Sequence, residues 1–534
     1  MSELLCNGGD SRLFLREGRL NRYNCPPQPV CPEQSVLRSS CTASPASQLG
    51  YAHALEKWDE LAPHRGSASH EREFAEQMAA VRARLSSALQ LPEGTAVVLS
   101  ASGTDAEYVP LAIARELHAA VTPGDSTPTP VIVNSVLVAD GEVGNGCREA
   151  CAGEYFDTHG HAPFMEGRIA SALLTPSNSR GRRLCGFDGI ALHSICARRD
   201  ADGGIVDAAA AIAEATASVA AEREAVGETD ESWWVVRLVA GTKTAITTTV
   251  PDTLPPRSLL VVDACQMRLA PSAIRSYLDA GSVVLITGSK FMQGAAFSGA
   301  VLVPAALAQR LRDGSAAAPP LPAGLENFFS RHEVPAELSH WRKQLHGVMN
   351  EGLLARWHTA LPHFERVCNM PEERFSHLAR RWTDGVLRQL HAYHPQLVVE
   401  STEKGIVCVK CARSAGGRRG GFLDHEDLTR VHRWLSLDMM GSPGAEECSA
   451  AGKLVFLGQP VAITHQAAVL RIALGAEVLA ELDSGQYDPS SDAACIEKLA
   501  WAVSRFATLS DWGEHDSEVK AHLQVPRPGA LSFA

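Results

Sequence analysis

The chain has 534 residues, 45% of them hydrophobic and 21% charged, and its 49 Lys and Arg against 61 Asp and Glu leave a net charge of −12. That length exceeds one simple core and allows two or three domains of ordinary globular composition. The acidic balance argues against a general nucleic-acid binder; with no run of eighteen apolar residues and no basic-then-apolar N-terminus, a soluble, cytoplasmic protein with no nucleic-acid or membrane partner is expected.

Residues 1–50 read as an irregular N-terminal arm, because the prolines and serines from Pro26 to Ser47 break any periodicity. Cys25, Cys31 and Cys41 fit no common zinc spacing, so no metal site is expected there. The fourteen cysteines are scattered over a long chain, which suits reduced thiols better than disulfides. From Tyr51 to Leu91, apolar residues recur at i, i+3 and i+4 spacing and predict two helices, the second closed by Pro92-Glu93-Gly94. Val97 to Leu99 then reads as a short buried strand, followed by a turn and a helical run through His118. A strand, a small turn and a helix start make an anion site, since the first helical N–H groups are unpaired and the dipole favours negative charge. Ser102, Gly103 and Thr104 would cradle a phosphate there, Thr104 donating its hydroxyl; taken alone, the same residues read as an ordinary N-cap.

Further strands are predicted at Val131–Val138, Ile190–Cys196 and Trp233–Val239, with a helix at Ala208–Val226. The loop after the first of these offers Glu142 and Asn145, either as contacts to a ligand or as an incidental glycine-rich turn. The loop after Trp233–Val239 is Ala240 to Thr244 and carries Thr242 and Lys243. Next come strands at Leu259–Val262 and Val283–Ile286, with a helix from Pro271 to Gly281 between them, and a seventh strand at Ala300–Val303. Strands alternating with helices predict an α/β fold, a seven-stranded, mostly parallel sheet sandwiched by helices. Ligands bind such sheets at the carboxyl ends of the strands. Those ends carry Asp263 and Gln266 on one strand and Thr287, Ser289 and Lys290 on the next. An Asp and a Lys so placed suit pyridoxal 5'-phosphate, which needs an amine to hold its aldehyde as a Schiff base and a carboxylate to keep its ring nitrogen protonated. The alternative is a solvated strand-end lysine and a turn aspartate.

The segment VVDACQ…TGSKFMQGAAFSGAVLVP resembles the fold-type I pyridoxal-phosphate enzymes, and within them the class V aminotransferase and cysteine desulfurase group. The resemblance implies that Lys290 forms the Schiff base and shuttles the substrate's α-proton and that Asp263 holds the ring nitrogen's proton. It also implies that Gln266 bonds the ring hydroxyl, and that Thr104, Thr287 and Ser289 bond phosphate alongside Ser102 and Gly103. Thr242 then matches a turn that contacts the cofactor or substrate, and Glu142 approaches the ring or substrate. Lys243 is a weaker rival for the Schiff base, because no Asp-bearing strand precedes it at the matching interval. Two departures stand out: Asp105 replaces a Glu, and no ring-stacking His or aromatic residue lies between Asp140 and Gly153. The implied function is a PLP-dependent enzyme acting on an amino acid or related amine, aminotransferase-type. A C–S or β-elimination lyase and a non-catalytic PLP-binding scaffold are the alternatives. A homodimer is implied because sites of the group form at subunit interfaces.

The large cofactor domain is expected to span residues 51–340, with a proline-rich linker or lid after Val303. A long amphipathic connecting helix follows at 341–369. Residues 370–534 read as a smaller α+β domain with helices to Leu387 and at His425–Ser436 and strands at Gly405–Ala412 and Leu454–Leu457. Arg471, in VLRIALGA, resembles an arginine that grips a substrate α-carboxylate in many fold-type I enzymes; the alternative is a strand arginine paired to a surface acid. Cys408 and Cys411 lie in an apolar strand pattern and read as buried structural thiols rather than a persulfide carrier.

Overall fold

The computed structural model describes the chain except for residues 16–19, 122–132, 157–161, 165–173, 176–181, 226–231, 314–318, 414–420 and 515–534. At its centre is a seven-stranded sheet in the spatial order Ala96–Ser100, Gly299–Val303, Val283–Thr287, Ser258–Asp263, Trp233–Val239, Val133–Asp140 and Ile190–Cys196. Neighbours pair in parallel except for Gly299–Val303, which runs antiparallel to both of its partners. This is the predicted mostly parallel α/β sheet. Of the expected strand Val131–Val138, residues 131 and 132 lie outside the described residues.

The continuous apolar runs are buried because helices cover the sheet. Val283, Val284, Leu285 and Ile286 are all fully buried. Tyr108–Val121 packs against the strands at Val133, Trp233 and Ser258, His70–Leu89 against Ala96–Ser100, and Ala208–Ala225 against Ile190–Cys196.

A second, five-stranded sheet is ordered Ser35–Arg38, Leu454–Thr464, Ala467–Ala473, Ile406–Cys411 and Leu397–Glu403. Its first strand comes from the stretch expected to be irregular and pairs in parallel with Leu454–Leu457. Cys408 and Cys411 are buried in this sheet, and burial pushes their thiols up to about 11 and about 12.

Two connections differ from expectation. The single amphipathic helix expected across 341–369 is instead a short helix, Ser339–Gln344, and a long one, Glu351–Cys368. Asn350 accounts for the break, because its Oδ1 accepts the Leu353 N–H at 2.9 Å and restarts the helix. The long helix is buried nearly all round, wedged against Gln48–Leu61, His70–Leu89 and the N-terminal Ser2–Cys6 helix. The expected lid is anchored: Leu325, Phe328 and Phe329 are buried, Phe328 against Tyr108 and Tyr155. Among the described residues no helix is long and apolar enough to cross a membrane.

Candidate active site at the strand ends

Parallel strands of one hand deliver their carboxyl ends to one rim, and a cavity opens there. Ser102, Gly103 and Thr104 line it from the turn after Ala96–Ser100, and Glu142, Asn145 and Cys147 from the loop after Val133–Asp140. Thr242 and Lys243 reach it from the loop after Trp233–Val239, and Asp263, Cys265 and Gln266 from the end of Ser258–Asp263. Thr287, Ser289 and Lys290 complete that rim. Ten of the eleven sequence-predicted site residues therefore line one cavity. The exception is Arg471.

The strands that carry Asp263 and Lys290 are hydrogen-bonded neighbours, with Leu285 paired to Asp263. Asp263 Oδ1 accepts the Cys265 N–H at 2.9 Å. Lys290 Nζ has no hydrogen-bond partner among the described residues. Its turn is held from below by the long helix: Thr359 Oγ1 accepts the Ala295 N–H at 2.7 Å and Trp357 Nε1 donates to Gly299 O at 3.2 Å. Gly294 makes the approach possible, because a Cβ there would lie 2.6 Å from Ala360 Cβ.

The predicted phosphate turn is tightly built. A Cβ on Gly103 would meet Cys265 Sγ at 2.9 Å and Thr287 Cγ2 at 3.0 Å. Thr287 Oγ1 donates to Cys265 O at 2.7 Å, and Ser102 Oγ donates to Asp105 Oδ2 at 2.9 Å. Burial, reinforced by Asp10, raises Asp105 above the ordinary carboxyl range. Gln266 Nε2 donates to Cys41 O at 2.9 Å, while its buried Oε1 has no donor among the described residues. Burial pushes the Cys147 thiol up to about 12, so this cysteine is no thiolate nucleophile.

Glu142 and Thr242 line the cavity but bond each other: Thr242 Oγ1 donates to Glu142 Oε2 at 2.5 Å. Glu142 also accepts from Arg198 Nε at 2.6 Å, from the Thr244 N–H at 3.2 Å and from Thr244 Oγ1. Burial pushes this carboxyl up, but the threonine and Arg198 bonds outweigh it and leave it below its ordinary value. Its oxygens thus tie two loops together.

Arg471 is fully buried and its donors are spent on the fold. Nε and Nη2 donate to Gln459 O at 3.0 and 2.6 Å, Nη1 to Lys243 O at 3.0 Å, and Nη2 to Thr42 Oγ1 at 2.8 Å. No carboxylate pairs with it among the described residues, so it is not the acid-paired strand arginine that the sequence offered as the alternative, and it does not line the cavity. Among the described residues Lys243 Nζ hydrogen-bonds only Gly141 O, at 3.5 Å, and burial with the nearby Arg471 lowers it to about 8.

The arm supplies what no sequence pattern indicated. Arg12, Tyr23, Cys41 and Thr42 line the cavity, together with Phe297 and Gln459. From the loop that lacks a His or aromatic residue, Val143 and Gly144 also line the cavity.

No family model matches the sequence, and no curated protein sequence matches it. Among solved structures, the chain is similar to the cystine C-S lyase C-DES in complex with its reaction product cysteine persulfide, with a TM-score of 0.50 and 12% identity over 88% of this chain and 97% of that one. A C-DES variant with glycine covalently linked to its PLP cofactor gives 0.50 and 12% over 88% and 96%. The 4-hydroxyphenylacetaldehyde synthase of Rhodiola rosea gives 0.49 and 14% over 87% and 83%. At such identities the likeness is one of architecture, and the C-DES structures share the fold of this chain over nearly their whole length.

Proposed function

We propose that the chain is a PLP-dependent enzyme acting on an amino acid or related amine. One observation carries this reading: an unpaired lysine amine and a strand-end carboxylate line one cavity from adjacent strands of the sheet. The surrounding residues fit the group. Asp263 accepts the Cys265 N–H, the Gln266 Oε1 acceptor lacks a donor among the described residues, and Gly103 keeps the floor of the turn clear of a side chain.

Lys290 would hold the cofactor's aldehyde, Asp263 the ring-nitrogen proton, and the turn at Ser102, Gly103 and Thr104 with Thr287 and Ser289 the phosphate. When bound, PLP supplies an electron sink for negative charge at the substrate's α-carbon. Lys290 Nζ then takes and returns the proton at that carbon as general base and acid. Asp263 would hold the proton at the ring nitrogen.

Aminotransferase chemistry is the first reading, and C–S or β-elimination chemistry the second, favoured by the fold shared with a cystine C-S lyase. Borohydride reduction of the PLP-loaded protein followed by peptide mass mapping tests the cofactor assignment. A pyridoxyl group on Lys290 is the expected result; one on Lys243, or none, overturns it. An amino-acid panel then separates the reactions. A transaminase converts the cofactor to its pyridoxamine form with amino donor alone, and a lyase releases ketoacid without a keto acceptor. Binding without any turnover would leave a scaffold.

A further inference from the structure

The N-terminal arm enters the site along an anchored path. Arg356 donates to Asn7 O and, at 2.8 Å, to Gly8 O, and Asn350 Nδ2 donates to Gly8 O at 3.0 Å. Two residues on, Asp10 takes both the Nε and Nη2 edges of Arg12, at 2.9 and 2.7 Å. Phe156 and Phe297 flank the Arg12 guanidinium, with their ring centroids 4.4 and 4.5 Å from its carbon. Arg12 is 2% exposed, so it meets the cavity stripped of water and fixed in orientation. Its remaining N–H groups go to the anion turn and to the loop after Val133–Asp140: Nη1 to Thr104 Oγ1 at 3.2 Å and to Asn145 O at 2.8 Å, and Nη2 to Ser102 Oγ at 3.4 Å.

We propose that Arg12 is a phosphate-binding residue, a cation carried by the N-terminal arm to the turn at Ser102, Gly103 and Thr104. This rests on the PLP reading above. Three cations line the cavity, Arg12, Lys243 and Lys290, and among the described residues only Arg12 bonds the turn's hydroxyls. A hydroxyl that accepts from a guanidinium must aim its own proton elsewhere. Thr104 sends it to Asn145 O over 3.2 Å, a long bond that an anion would replace with a stronger, charge-assisted one. Asp10 balances the guanidinium while leaving Nη1 directed at the turn. The buried Gln266 Oε1, which lacks a donor in the same cavity, independently marks a place built to receive a ligand.

The test compares two ligands that differ only in phosphate. Dissociation constants for PLP and for pyridoxal are measured by spectral titration of the full-length protein, its Arg12→Gln variant and its Arg12→Lys variant. Arg12→Gln should weaken PLP by about 10- to 100-fold and leave pyridoxal within about 2-fold, the size expected for one charge-assisted contact. Arg12→Lys keeps the charge without the planar fork and should lose about 3- to 10-fold on PLP alone; it decides the matter if Arg12→Gln does not fold. Equal losses on both ligands, or no loss on PLP, would overturn the assignment, because an arm acting only as a structural strap cannot distinguish them. Failure of the unaltered protein to bind either ligand would instead remove the cofactor reading and this assignment with it.

Discussion

Glu142 was expected at the ring or substrate, yet its carboxylate is committed to Arg198, Thr242 and Thr244. Glu142→Gln keeps the shape and removes the charge. Breaking a buried ion pair from one side costs about 3–5 kcal/mol, chiefly because the other charge stays buried. Arg198's side chain is 14% exposed, so water screens part of the loss and about 3 kcal/mol is expected. The pH dependence follows from a carboxyl held below its ordinary 4.5 in the folded state. Such a group stabilises the fold above the unfolded value and loses that contribution as pH falls through the folded one. Urea denaturation followed by tryptophan fluorescence at pH 7, 5 and 3.5 should therefore show a wide gap between the two proteins at pH 7 that narrows in acid. Arg198→Met added to Glu142→Gln should recover much of the loss, since no unpaired charge remains. A gap below about 1 kcal/mol at pH 7, or one that persists undiminished into acid, would refute this role.

The same reasoning gives three further outcomes. Gly103→Ala puts a methyl within 2.9 Å of Cys265 Sγ and 3.0 Å of Thr287 Cγ2; overpacking of about 1–3 kcal/mol at the phosphate turn should weaken PLP binding about tenfold or more, and an unchanged dissociation constant would clear the turn of that role. Arg471→Met removes the donors from two part-buried carbonyls, Gln459 O and Lys243 O, at a cost of about 1 kcal/mol each. It should lower stability in thermal unfolding while leaving intact the preference for an amino acid over its decarboxylated amine. Lys243 is held at about 8 by burial and Arg471. A lysine depressed in the fold costs stability below that value, and the cost is relieved as pH rises toward its unfolded 10.5. Lys243→Met should thus stabilise at pH 7 and lose the advantage in strong base, as read by unfolding curves at both.

The sheet was legible because burial on two faces forces unbroken apolar runs, and runs such as Leu259–Val262 and Val283–Ile286 announce themselves. Leu397–Glu403 escaped because it is an edge strand: Glu400, Thr402 and Glu403 project from a surface one side of which meets water. Ser35–Arg38 is four residues long, framed by turns, and takes its stability from Leu454–Leu457, a partner remote in the chain. The split of the connecting helix was recoverable from Asn350 before Glu351, a capping signal overridden by the apolar periodicity on either side. Arg471 misled because residue type at a strand position says nothing of direction, and Gln459 O, Lys243 O and Thr42 claim its guanidinium. Arg12 left no local trace at all, since its partners lie at Thr104 and Asn145, far along the chain.

The glycines after Lys290 gain a different meaning from the packing. They lie in the segment that carries the family resemblance, and what they admit is protein. A Cβ on Gly299 would sit 2.5 Å from both Ser100 Oγ and Ser102 O, so this position lets the antiparallel strand lie flush against the strand that leads into the anion turn. Gly294 does the same for the helix beneath, at Ala360. The Lys290 turn is thereby clamped between that helix and the Ser102 turn, each approach made possible by the absence of a methyl group. Close packing leaves few alternatives to the observed placement, and a lysine amine is useful as a covalent anchor only when its backbone cannot drift from the carboxylate on the next strand. The spacing of Gly294 and Gly299 is, physically, a condition for holding the Lys290 turn where it lines the cavity with Asp263.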